Sequence, residues 1–114
     1  MQKVKLARYN DGIVAIYRDK DRRNSFSAQQ NVSVLDDMEF LYRLAFSEES
    51  KRQQDMEFAS QNDFTLSLKI RTRYVPRIDN KCKAVINGYL YDIAYVDATK
   101  TDLWLYMQGV GEIA

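Results

Sequence analysis

The sequence predicts an all-β fold: a small antiparallel β-barrel or sandwich of five to six strands, with one long polar inter-strand loop that is open to being part helical. Three observations predict it. Phe64, Leu66, Leu68 and Ile70 alternate with Thr65, Ser67, Lys69 and Arg71, the period of a strand with one buried face. Asn87-Gly88 sits between two apolar runs, the pair that a tight type I′ hairpin demands because both central residues need positive φ. Leu103, Leu105 and Met107 alternate with Trp104 and Tyr106 near the end of the chain.

Taken in order, Gly12 opens a first strand over 13–19, apolar and β-branched at its start. Residues 20–37 are rich in Asn, Ser, Gln and charge and read as a loop, with 32–35 docking briefly. Met38, Phe40, Tyr42, Leu44 and Phe46 then recur every second residue and predict a second strand. The strand over 64–75 ends at Pro76, which has no N–H for a ladder, and residues 77–80 make the turn. Strands over 81–86 and 89–96 flank the hairpin, 97–102 forms a polar turn, and the last strand is released at Gly109 and Gly111. Closing such strands into a barrel removes edges that would otherwise aggregate.

With 114 residues the chain has room for one core and one domain. No apolar run approaches the ~20 residues needed to span a bilayer. The N-terminal residues lack the apolar centre of a secretory signal, and the single Cys82 has no internal partner, so a reducing cytoplasm is the expected setting. The net charge of +1 argues against a protein that works by neutralising phosphates. The absence of histidine removes the commonest general base, the usual zinc ligand and every His-dependent triad. No catalytic residue, cofactor or metal site is expected. Cys82 reads as a small buried hydrophobe, and Asp36 and Asp37 beside Glu39 lack the spacing of a known calcium loop.

Residues 47–63 stand out. Only Met56, Phe58 and Ala59 are apolar there, so the segment is expected to project from the core or lean on a partner. Ser47 is a candidate helix cap, with Glu48 and Glu49 in a first turn and Arg52 four residues after Glu48. Acidic Glu48, Glu49, Asp55, Glu57 and Asp63 outnumber Lys51 and Arg52. Extended out and back, the segment would reach on the order of 25 Å. Two surface features accompany it. Lys69, Arg71 and Arg73 line the polar face of one strand and form a candidate subunit interface; a solvated face is the simpler reading. Tyr89, Tyr91 and Tyr95 recur with Ile93 on one face, as a core or interface row more readily than a base-stacking platform.

From about Phe40 to Val110 an apolar strand leads to Ser47, Glu48 and Glu49, then a polar loop with Gln53 and Gln54, an alternating strand, Tyr74, then Arg77, Ile78, Asp79, Lys81, Lys83 and the hairpin Gly88. This order of features resembles the head-closure proteins, also called stoppers or head-tail adaptors, of long-tailed bacteriophages. The chain departs at Cys82 and Lys83, where many members carry Met-Arg, and at Tyr42 and Arg43, near which many carry Trp-Ala.

The resemblance implies a virion protein, present in the host cytoplasm before assembly, that forms a homo-oligomeric ring, sixfold or twelvefold. Its implied neighbours are a portal-bound adaptor on the head side and a tail completion or terminator protein on the tail side. It also implies transient contact with packaged double-stranded DNA, and no membrane. The channel-closing loop would comprise Ser47, Glu48, Glu49, Ser50, Lys51, Arg52, Gln53, Gln54, Asp55, Met56, Glu57 and Phe58. Its acidic surface would obstruct DNA without adhering to it, since like charges repel at close range. The alternative is a small β-barrel nucleic-acid-binding module that uses the basic stripe and the tyrosines. An enzyme ranks below both, because no nucleophile, base and orienting group can be assembled from these residues.

Overall fold

The computed structural model describes residues 9–19 and 38–113. The expected loop over 20–37, its docking segment 32–35 and the Asp36–Asp37 pair lie outside the described residues. Six strands and one helix follow in order: β1 (Gly12–Asp19), β2 (Met38–Glu49), α1 (Gln53–Gln61), β3 (Leu68–Arg73), β4 (Cys82–Ile86), β5 (Tyr89–Ala98) and β6 (Asp102–Glu112). The strands close into a barrel, not a sandwich, in the cyclic order β1-β2-β3-β6-β5-β4, and every neighbouring pair is antiparallel.

Alternation puts one face of each strand inside. Val14, Ile16, Leu44, Phe46, Ile70, Ala84, Ile93, Leu103, Leu105 and Met107 fill the interior, all at 5% exposure or less. Each large aliphatic group so buried contributes about 1.5–3 kcal/mol, as an upper estimate. Cys82 is among them, a buried small hydrophobe as its context suggested. The segment after β3 packs Val75 and Ile78 onto the same core, and Tyr42 donates from its hydroxyl to the Pro76 carbonyl at 2.8 Å. Asn87 and Gly88 take φ of 50° and 78°, the two positive values of the hairpin turn joining β4 to β5.

Several boundaries differ from the sequence reading. β2 continues through Ser47, Glu48 and Glu49, which pair with Arg71, Ile70 and Lys69, so Ser47 caps no helix. The reason is long-range: β3 supplies the ladder that keeps these polar residues extended. β3 starts only at Leu68. Ahead of it, Leu66 is buried, the Ser67 N–H donates to the Met107 carbonyl while its hydroxyl accepts from the Gly109 N–H, and the Thr65 N–H donates to the Gln108 side chain. β6 runs past Gly109 and Gly111 because it keeps pairing with β5 as far as Tyr89–Glu112. A Cβ at Gly109 would stand 3.1 Å from the Tyr89 hydroxyl, so that ring would have to shift by a few tenths of an ångström to admit a side chain.

Three register shifts interrupt the ladders: one skips Val110 in β6, and the other two break the expected alternation. The register with β1 skips Leu41, so Leu41 and Tyr42 pack toward the core while Phe40 turns outward at 52% exposure, edge-on to Tyr17. In β5 the register skips Ala94, so Ile93 points into the barrel while Tyr95 points out at 41% exposure. The predicted tyrosine row is thereby divided. Tyr91 packs against the core and contacts Tyr89, and Tyr95 joins a different cluster outside.

Candidate functional site

The segment between β2 and β3 is a docked helix and not a projecting loop. Arg52 is extended at φ −85° and ψ 164° and serves as the cap, and Asp55 three residues on accepts its backbone N–H at 3.0 Å. The carboxylate in the first turn also suits the positive end of the helix. At the other end the Asn62 amide donates to the Phe58 carbonyl at 2.8 Å, and Asp63 reverses the chain at φ 62°.

Asp55, Phe58 and Ala59 fall on one face, at the spacing that brings helical residues together. Asp55 and Ala59 are buried. That face lies on the outer wall of β3, β6 and β5. Lys69 Nζ reaches Asp55 Oδ2 at 3.0 Å and stands 5.1 Å from the centre of the Tyr106 ring. Phe58 meets Tyr95 at 4.8 Å, Tyr106 at 6.1 Å and Phe64 at 6.2 Å between ring centres. Burial pushes the Asp55 carboxyl up, but the Arg52 amide and the Lys69 ammonium outweigh it and hold it below the usual carboxylate range.

The opposite face of α1 is open. Gln53, Gln54, Met56, Glu57, Ser60 and Gln61 are exposed, and Gln53 donates to Glu57 at 3.2 Å along the helix. Of the other residues assigned to the channel-closing loop, Ser47, Glu48 and Glu49 belong to the barrel wall. Ser50, Lys51 and Arg52 form the exposed link to the helix, fastened where Lys51 donates to the Ser67 carbonyl at 3.0 Å.

The basic stripe is largely neutralised within the chain. Lys69 is 9% exposed beneath α1, which removes it as a contact for another molecule. Arg71 pairs with Asp102 through Nε at 3.3 Å and stacks over Trp104 at 5.0 Å. Asp102 is itself buried and also accepts from Tyr9 and from Thr101. Burial pushes this carboxyl up, yet those three donors overcome it and bring it down to about 2. Arg73 alone of the three is exposed. The stripe therefore contributes one exposed cation to any interface.

A second charged cluster lies where β1 ends and β4 begins. Arg18 donates to Asp79 at 3.0 Å and to the carbonyl of Arg77, which holds φ 76°. Lys83 pairs with Asp92 across the β4–β5 ladder. A cleft of about 390 Å³ is lined by Arg18, Asp19, Asn80, Lys81 and Lys83. Of its cations, Arg18 and Lys83 already have carboxylate partners. Burial pushes the Cys82 thiol beside this cluster up, away from the reactive thiolate.

Among the described residues no group of His, Cys, Asp or Glu is arranged to hold a metal ion, and no helix is long and apolar enough to cross a membrane. Sequence reasoning missed both buried carboxylates. Asp55 had a local signal, an acid at the third helical position after a polar cap. Asp102 had none, because Tyr9, ahead of β1, and Arg71, on β3, are distant in sequence. A scan against protein-family models finds no match to the chain, and a search of curated proteins finds none either.

Proposed function

We propose that this protein is a structural component of the head-tail connector of a long-tailed phage. Copies form a ring between a portal-bound adaptor and a tail completion or terminator protein, and the ring closes the channel after DNA packaging. The observation that carries the proposal is α1: a helix inserted between β2 and β3, where the resemblance puts the closing element, with its polar outer face free. The closing surface is then the exposed side of α1, formed by Gln53, Gln54, Met56 and Glu57, and not the whole of residues 47–58. An uncharged amide surface with one exposed carboxylate obstructs a phosphate backbone without binding it.

The nucleic-acid-binding alternative is disfavoured by the ion pairs Lys69–Asp55 and Arg71–Asp102, which occupy two of its three stripe cations. Filter binding separates the two readings. The purified protein should hold duplex DNA weakly and with a shallow salt slope; tight binding that falls steeply with salt would favour the alternative.

The connector role is tested in phage particles by replacing residues 51–63 with a short Gly-Ser turn, combined with Lys69→Met so that no buried cation is left unpaired. Heads should still acquire the protein but leave their DNA open to nuclease. Full genome protection by the variant would remove α1 as the closing element.

A further inference from the structure

The barrel is closed, yet two of its strands are longer than the neighbours that cover them. β1 pairs with β2 along Met38–Phe46, whereas β3 joins β2 only at Ser47–Glu49. On its β3 side, β2 from Met38 to Phe46 has no ladder partner among the described residues; the segment after β3 touches this stretch through side chains only, the Tyr42 hydroxyl on the Pro76 carbonyl and Arg77 at 3.7 Å from Glu39. β5 pairs with β6 along its whole length, whereas β4 covers only Tyr89–Asp92. From Ile93 to Ala98 the β4 side of β5 likewise has no ladder partner among the described residues. Backbone N–H and C=O groups at such an edge are a template for another strand.

The two open stretches are placed as a complementary pair. In the cyclic order, the β2–β3 seam and the β5–β4 seam have three strands between them in either direction, so they lie on opposite sides of the barrel. Both gaps occur at the same end, the one at which β1, β3 and β5 finish and β2 begins. β2 runs away from that end and β5 runs toward it. Neighbouring copies with a common axis direction would therefore set these strands antiparallel.

Side chains agree with that pairing. Arg43 on β2 and Asp97 on β5 are both exposed and have no ion-pair partner among the described residues. Placing Arg43 opposite Asp97 in an antiparallel ladder pairs these two charges directly. Phe40 and Tyr95, exposed at 52% and 41%, stand on the same two stretches. Beyond the Ala94 bulge the ladder from Tyr95 to Ala98 is regular, so the β5 edge is straight where the charges meet.

We propose that copies of this chain join by antiparallel β-sheet pairing, the open edge of β2 in one copy against the open edge of β5 in the next, with Arg43 across from Asp97. Two different edges on opposite sides make a head-to-tail contact that propagates and closes by rotation, unlike a single edge, which pairs with itself into a dimer. The interface rests on the ring assembly proposed above and names the surface that builds it.

The test uses the full chain with Cys82→Ala, Arg43→Cys and Asp97→Cys, oxidised at high protein concentration and examined by non-reducing gels and negative-stain electron microscopy. Disulfide-linked ladders that end at the copy number of the imaged ring are expected. In parallel, Arg43→Asp or Asp97→Arg alone should weaken assembly on the order of tenfold, and the two together should restore it. Rings that form without cross-links and ignore the charge reversals would overturn the edge pairing while leaving the ring intact. A chain that stays monomeric at every concentration would overturn the ring itself, and this interface with it.

Discussion

Asp55 Oδ2 accepts a hydrogen bond from Lys69 Nζ at 3.0 Å, and the same oxygen accepts the Arg52 backbone N–H that starts α1. One carboxylate therefore both begins the helix and fastens it to the barrel. The two charged side chains retain only 10% and 11% of their exposure, so neither is well served by water if the other is removed.

Asp55→Ala should destabilise the protein by about 3 kcal/mol, since it leaves a buried ammonium unpaired and a helix uncapped. The double variant Asp55→Ala with Lys69→Met should recover most of that loss, because no charge is then buried. Urea titrations of the four proteins form the cycle, and a double variant as unstable as Asp55→Ala would show that the cap and not the ion pair matters.

Phe58→Ala removes the aromatic anchor of α1 and should cost about 2 kcal/mol, less than a full core truncation because Phe58 is only half-buried. The effect should be local. Hydrogen exchange is expected to speed at the Asn62 and Phe64 amides, which bond to the last turn of α1, while β6 amides keep their protection.

Acid should weaken the fold in a defined window. Asp102 has a folded value of about 2, below its ordinary 3.8, so the unfolded chain binds more protons between these values. Stability from Asp102 is fully present above the ordinary value and is lost as pH falls through that interval. Asp55 and Asp79, also held below the ordinary range, act in the same direction. Asp102→Asn should lower stability at neutral pH and flatten the acid limb of a stability–pH curve; an unchanged limb would assign the acid sensitivity elsewhere.

Gly88→Ala should cost about 1–2 kcal/mol through backbone strain alone, because φ is 78° and a Cβ there would meet no atom within 4 Å. In a domain of this size that lowers the melting temperature by roughly 4–8 °C. Asn87→Gly, which relieves a positive φ of 50°, should be neutral or stabilising.

Legibility in the sequence followed the range of the interaction. Asn87-Gly88 and the Leu103–Met107 alternation were readable because a turn and a period-two face are local properties. Phe40 and Tyr95 were assigned to the wrong face because a bulge is a single extra residue that leaves the composition of a strand unchanged. Ser47 looked like a helix cap because Ser, Glu and Glu favour a first turn in isolation; pairing with Arg71, Ile70 and Lys69 decides otherwise. Lys69 looked like an exposed cation of a subunit interface because its cover, α1, comes from an earlier segment whose apolar stripe is only Phe58 and Ala59. The polar excursion between two strands was thus legible along the chain, and its shape as a docked helix was not.

Barrel closure also has a bearing on the order in which the chain folds. β4, β5 and β6 are consecutive and need only two short turns to associate, so they can form early. The β1–β4 ladder, with Ala15 against Val85 and Ile16 against Ala84, joins segments far apart in sequence and carries the largest loop entropy. Until that seam zips, the hydrophobic lining is uncovered at two strand borders. Nascent chains are therefore most vulnerable to clumping before their last rung is made.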